Sequence, residues 1–167
     1  MERSGLEWTI LRPGEFAVNK LDYWGESIRA EGVVRAAYAD AKGTPIHEAD
    51  IASVATQALL HDGHHGQHYE LTGPQALTIR EQVAAIATGI GRGIEFVELT
   101  REQARAEMLE QGMIAEVIDE MILWYPDDYA DHTPPVSPVV EQVTGRPGRT
   151  LAEWAADHAD ELRQEGR

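Results

Sequence analysis

Apolar positions along the chain alternate between two spacings, and the spacing assigns the elements. Residues 7–12 are a short apolar run holding Trp8, Ile10 and Leu11, and predict a strand that Pro13 and Gly14 stop. An amphipathic stretch over 16–29 predicts a helix, broken at Gly32, after which Val33 and Val34 start another extended piece. Ile46 and His47 read as a very short strand following the Gly43-Thr44-Pro45 turn. Ile51, Val54, Ala55, Ala58 and Leu59 fall on one helical face, with Asp50 at its cap or in its first turn. Residues 68–72 predict a strand closed by Gly73 and Pro74. Thr78 then caps a helix with Ile79, Val83, Ile86 and Ile90 on one side, ended by Gly91 and Gly93. Residues 94–99 alternate with period two, the mark of a half-buried strand.

The last third reads as helical. Thr100 and Gln103 form a capping box, as do Thr150 and Glu153. Ile114, Val117, Ile118, Met121, Ile122 and Tyr125 make one stripe, ended by Pro126, and Pro134-Pro135 marks a loop. Residues 138–143 predict a short helix closed by Gly145. Leu151, Trp154, Ala155, His158, Ala159 and Leu162 make the final stripe. Strands alternating with helices indicate an α/β fold with parallel pairing. Strands 7–12 and 68–72 suit a buried parallel sheet, which normally carries helices on both faces, and two or three short strands make only part of one. The chain of 167 residues has no repeat and no separating linker, so it reads as a single domain, 1–167.

Composition narrows the classes. With 14 Lys and Arg against 29 Asp and Glu the net charge is −15, which argues against direct binding to nucleic acid. There is no cysteine, which excludes disulfides, thiolate metal sites and cysteine nucleophiles and fits a cytoplasmic protein. No apolar run approaches the ~20 residues of a membrane helix, and the start of the chain does not read as a secretion signal.

Several residue groups suggest chemistry. Pro13, Gly14 and Phe16 follow a strand at its carboxyl end, where open α/β sheets bind ligands, and Asn19 lies one turn further on. Tyr38 and Lys42 have the Y-x-x-x-K spacing of a reductase acid/base pair, but they follow strand 7–12 instead of preceding it and run into a Gly-Thr-Pro turn, so the match reads as coincidence. His61, His64, His65 and His68 invite a metal, yet the glycine-bearing turn that holds them gives no fixed geometry and reads as a solvated loop. Gly89, Gly91 and Gly93 mimic a phosphate loop but stand after a helix, as a helix end. Trp124, Tyr125 and Tyr129 either line a substrate pocket or pack a helical core, and His47 lies beside the short strand within reach of a cleft. Asp127, Asp128 and Asp131 lack the spacing of a calcium loop. His158 on an apolar face reads as a partly buried core residue.

A wider pattern joins these pieces. It runs through Ser4-Gly5-Leu6-Glu7-Trp8-Thr9-Ile10-Leu11-Arg12-Pro13-Gly14 with Phe16 and Asn19, then Pro45-Ile46-His47-Glu48-Ala49-Asp50-Ile51-Ala52, then Tyr69-Glu70-Leu71-Thr72-Gly73-Pro74, and ends in Thr144-Gly145-Arg146-Pro147. In order and spacing the chain resembles the C-terminal half of the NmrA-like group, atypical relatives of the short-chain dehydrogenase/reductases. Members of that group are NAD(P)-binding Rossmann proteins. Some are reductases, and some bind the cofactor as redox-sensing regulators without turnover.

The resemblance implies an α/β fold: a partial Rossmann-like parallel sheet built from the C-terminal strands, with a mostly helical substrate-binding lobe. Strands 7–12 and 68–72 are expected in the main sheet, and Ile46-His47 is expected to pair with 94–99 in the lobe. NADP(H) or NAD(H) is the implied cofactor, with its nicotinamide end against Pro13, Gly14, Phe16 and Asn19. The glycine-rich phosphate loop of the group lies upstream of every residue here, as does the residue that selects NAD or NADP. Three roles follow as expectations. One is an oxidoreductase acting on a small carbonyl or quinone-type substrate, its missing half supplied by a longer product, a partner chain or a homo-oligomer. A second is a non-catalytic cofactor-sensing regulator that works through a protein partner, and a third is a truncated, inactive fragment.

Overall fold

The computed structural model describes residues 5–110, 112–123 and 132–163. In chain order the elements are β1 (Thr9–Pro13), α1 (Asn19–Glu31), β2 (Val33–Ala36), β3 (Lys42–Gly43), α2 (Glu48–Leu60), β4 (Gln67–Leu71), β5 (Leu77–Thr78), α3 (Ile79–Ile90), β6 (Glu95–Glu98), α4 (Arg101–Glu110), α5 (Ala115–Leu123), α6 (Val139–Thr144), α7 (Leu151–Asp157) and α8 (Ala159–Leu162). Local chemistry sets most boundaries. Thr78 with Glu81 and Thr150 with Glu153 close reciprocal capping boxes on α3 and α7, and Thr100 with Gln103 makes the same pair of bonds ahead of α4. Gly32, Gly91 and Gly145 end α1, α3 and α6 in the left-handed conformation.

Among the described residues the strands form three two-stranded ladders. β1 and β4 run parallel, with Thr9 opposite Gln67 and Pro13 opposite Leu71. β2 and β6 also run parallel, from Val33 opposite Glu95 to Ala36 opposite Glu98. β3 and β5 are a short antiparallel pair. The expected pairing of Ile46-His47 with 94–99 is therefore corrected: β2 takes β6 as its partner. The backbone of Ile46 is already spent on the first turn of the chain. Its N–H donates to the Glu15 carbonyl at 2.8 Å, its carbonyl accepts from the Ala17 N–H at 2.9 Å, and Ile46 bridges Phe16. The same bonds occupy residues 15–17, so α1 starts at Asn19 and not at 16.

Two apolar clusters form. The larger joins Trp24 and Ile28 of α1, Val34 of β2, Val83, Ile86 and Ile90 of α3, and Leu151, Trp154, Ala155, Ala159 and Leu162 of α7 and α8. The smaller joins Ile46, Val54, Leu71 and Val140, with Leu11, Ile51 and Tyr69 at its margin. The last stripe is two helices and not one, because His158 (φ −103°, ψ 21°) closes α7 and opens α8. Of the predicted 114–125 stripe, Ile118 is buried while Ile114 and Val117 stay exposed. Arg105 of α4 holds α5 through two bonds to Asp119, at 2.6 and 3.0 Å. Among the described residues no helix is long and apolar enough to cross a membrane.

Candidate functional site

The carboxyl ends of β1 and β4 bring three turns together. The Gly14 N–H donates to the Leu71 carbonyl at 3.0 Å, continuing the ladder one residue past β1. The Gly73 N–H donates to the Thr44 carbonyl at 3.1 Å. Gly73 passes so close to Pro45 that a Cβ would collide with the Pro45 carbonyl oxygen, so only glycine fits. The Ser137 N–H donates to the Thr72 hydroxyl at 2.8 Å, and that hydroxyl donates to the Gly73 carbonyl at 2.9 Å. Turns 13–16, 44–46 and 72–74 thus meet at one edge of a parallel pair, the edge at which open α/β sheets bind ligands.

Three of the candidate residues open outward there. Gly14 is exposed, and a Cβ on it would meet only the Leu71 carbonyl oxygen, at an ordinary 3.8 Å. Packing within the chain therefore does not require glycine at this position, and the bare backbone is left for something else to approach. Phe16 is 36% exposed beside it, and Asn19 is exposed in the first turn of α1. Pro13 is half-buried at the end of β1.

His47 has a structural task. It is 4% exposed and caps α2, its Nδ1 accepting the Ala49 N–H at 3.1 Å. Its Nε2 faces Asp157 of α7 at 3.3 Å. Of the two places expected for Asp50, the cap and the first turn, it takes the second, buried there and accepting the Arg149 N–H at 2.7 Å and the Arg149 guanidinium. Beside His47, with ring centroids 6.3 Å apart, stands His158. His158 is tilted over Trp154 with centroids 5.0 Å apart, and its Nε2 reaches Glu48 at 2.6 Å while Nδ1 faces Glu161 at 3.3 Å. Partial burial works against charge on the imidazole, but the two carboxylates outweigh it and its pKa is raised above 6.5. For Glu48 burial pushes upward, but the bond from His158 and the Glu48 backbone outweigh it and the pKa lies below its ordinary value.

The other groups are placed as follows. Tyr38 sits in a left-handed turn (φ 59°) and Lys42 in β3, donating to Thr133 at 2.8 Å, so the two do not stack on a helix. His64 Nδ1 lies 2.7 Å from the Tyr69 hydroxyl, and His65 Nδ1 accepts the Trp8 N–H at 3.2 Å. Among the described residues no group of three or more His, Asp or Glu is arranged to hold a metal. Gly91 is the left-handed cap of α3, as the helix-end reading required. Trp124, Tyr125, Tyr129, Asp127, Asp128 and Asp131 lie outside the described residues. Sequence reasoning missed the ion pair between Lys20 and Glu15, which sits inside the candidate edge. A spacing of five residues across a turn is no helical neighbour pair, so no periodicity signals it.

The architecture is that of the Rossmann-like NAD(P)-binding reductases. It superposes on the NADPH complex of an NADPH-dependent quinone oxidoreductase from Escherichia coli with a TM-score of 0.72 at 25% identity, over 93% of this chain and 54% of that one. In sequence the chain is 40% identical over 162 residues to an NAD(P)H azoreductase of Xenophilus azovorans, covering 95% of this chain and 55% of the relative. It is 37% identical over 157 residues to a (4-alkanoyl-5-oxo-2,5-dihydrofuran-3-yl)methyl phosphate reductase of Streptomyces griseus, covering 94% and 55%. No family model matches. The chain spans about half the length of the curated relatives it matches.

Proposed function

We propose that this chain is the C-terminal, substrate-side portion, one domain over 1–167, of an NAD(P)H-dependent oxidoreductase of the NmrA-like group, with a quinone or other small electrophilic carbonyl as substrate. The observation that carries the reading is the open glycine edge: Gly14 bare and exposed beside Phe16, at the carboxyl end of a parallel strand pair. Similarity to the azoreductase and to the dihydrofuranyl phosphate reductase supports it, and the fold match to the quinone oxidoreductase complex supports the cofactor class.

The residues present fit a nicotinamide. Gly14 lets a flat ring approach the backbone, the exposed face of Phe16 gives it an apolar wall, and Asn19 offers an amide to hydrogen-bond at the rim. The cofactor would supply hydride there. The chain would position the reacting ring, shield one of its faces from water and present the substrate from the opposite side, a contribution of orientation more than of acid/base chemistry. Trp124, Tyr125 and Tyr129 are the proposed substrate-binding aromatics. His47 would act by fixing the start of α2, since both its ring nitrogens are engaged.

A second reading is a cofactor-sensing protein without turnover. The placement of Tyr38 and Lys42 favours it, because they form no acid/base pair on a helix. Calorimetric titration of the 167-residue chain with NADPH, followed by a single-turnover assay with a benzoquinone, separates the two. Micromolar binding with quinone-dependent NADPH oxidation, by a chain that completes the site through self-association, is the result the first reading expects. Binding without oxidation would select the sensor, and a folded chain that binds nothing would sink both readings for this chain by itself.

A further inference from the structure

Glu15 is the one member of the 13–16 turn that the proposed site leaves unused. Its partner is unusual. Lys20 is 7% exposed, its ammonium paired with Glu15 Oε1 and lying 4.6 Å over the Trp24 ring. The other carboxylate oxygen, Oε2, occupies the space in which a side chain on Gly43 would begin, and the Gln82 amide nitrogen lies 3.1 Å from that same point. The Glu15 backbone carbonyl accepts the Ile46 N–H at 2.8 Å. The turn is therefore gripped from three sides: by α1 through Lys20, by β3 through Gly43 and by the 44–46 segment through Ile46.

With Lys20 buried and Glu15 half-buried, this ion pair is a poor device for stability. Desolvation offsets most of its attraction, and an apolar side chain of the same size against Trp24 would serve the core as well. What such a pair does supply is direction, because the ammonium has to be met by this carboxylate in one geometry. Cation–aromatic contact holds the Lys20 end, and the backbone bond to Ile46 holds the Glu15 end. Gly14 and Phe16, on either side of Glu15, inherit that geometry.

We infer that Lys20 is a positioning residue: through its ion pair with Glu15 it holds the 13–16 turn in the shape that receives the ligand. The inference rests on the reading of that edge as the cofactor site. Without the ammonium, the Glu15 carboxylate faces Gly43 uncompensated and swings to solvent. The turn loosens, and the bonds from Ala17 and Ile46 that close it open more often.

The test compares Lys20→Met, Glu15→Gln and Lys20→Arg with the parent chain. Amide hydrogen exchange is measured without ligand, melting temperature alongside, and NADPH affinity by calorimetry. Lys20→Met and Glu15→Gln are expected to speed exchange at the Ala17 and Ile46 amides about tenfold, with the amides of α3 and α7 unchanged, and to weaken NADPH binding by a similar factor. Lys20→Arg is expected to restore both. Unchanged exchange at Ala17 and Ile46 would overturn the inference. So would faster exchange through α3 and α7 alike, which marks general destabilisation, or an arginine variant that behaves like methionine. If the parent chain binds no NADPH while Lys20→Met still frees those two amides alone, the hold on the turn stands and the cofactor reading falls.

Discussion

The two apolar clusters differ in kind. The helical one around Trp154 is closed: α1, α3, α7 and α8 surround it, with β2 and β6 along one side, and Trp154, Ile28, Ile86, Ile90 and Leu162 are fully buried. The one beneath β1 and β4 has four buried members, and the helix over it, α2, ends in Leu59 and Leu60 that are 84% and 71% exposed. Parallel strands are ordinarily covered on both faces, and here the candidate edge belongs to the less enclosed cluster. The seam between the two is polar. Asp50 to Arg149, Glu48 to His158 and His47 to Asp157 all cross it. One region supplies permanence, the other carries the proposed site, and ionisable pairs join them.

Emptying the closed core should have the largest effect. Trp154→Ala removes a side chain with no exposure and is expected to cost about 3–5 kcal/mol, read from denaturant unfolding. Coincident loss of β1–β4 protection would show that the smaller cluster depends on the larger, and persistence of that protection would show two independent units. Cutting the seam comes next. Asp50→Ala leaves the Arg149 N–H and guanidinium without their acceptor and is expected to cost about 2–3 kcal/mol. A loss below a few tenths would mean that the pair does not tie the clusters together.

The titratable seam gives a smaller effect with a definite sign. His158 has a raised folded pKa, so its contribution is full below the ordinary value of 6.5 and is lost as pH rises through the folded value. Glu48 is depressed, so its contribution holds above 4.5 and is lost as pH falls through its folded value. Melting temperature should decline on the alkaline side of 6.5. His158→Gln should remove that decline at a cost of about 1 kcal/mol, since the partner carboxylates are partly solvated. A variant that keeps the parent's alkaline slope would assign it to another group. Smallest in stability is Phe16→Ala, expected within about 0.5 kcal/mol because the ring is exposed. Its NADPH affinity should nonetheless fall about tenfold, and an unchanged affinity would remove Phe16 from the site.

What the sequence made legible follows from distance along the chain. The capping boxes at Thr78, Thr100 and Thr150 depend on residues three apart, and all three formed. The stops after β1 and β4 were equally local, so the edge that gathers Pro13, Gly14 and Phe16 could be located from the glycines and prolines alone. Strand partnership was not local. Val33-Val34 and Ile46-His47 are both short apolar pairs, and nothing in either says which will meet Phe96. Competition for backbone bonds decided it, through the commitment of Ile46 to residues 15 and 17. His47 as a cap was hidden because Asp50 is the better intrinsic capper. Asp50 was withdrawn by Arg149, ninety-nine positions away.

Ile46 has one further consequence. Its amide and carbonyl both bond the turn that follows β1, and the next residue caps α2. The turn and the start of that helix are thereby one lever with a single fulcrum, and a displacement at either end is transmitted and not absorbed. Slack is left to the exposed residues 61–63 at the far end of α2, before His64 and His65 bond Thr9, Tyr69 and Trp8.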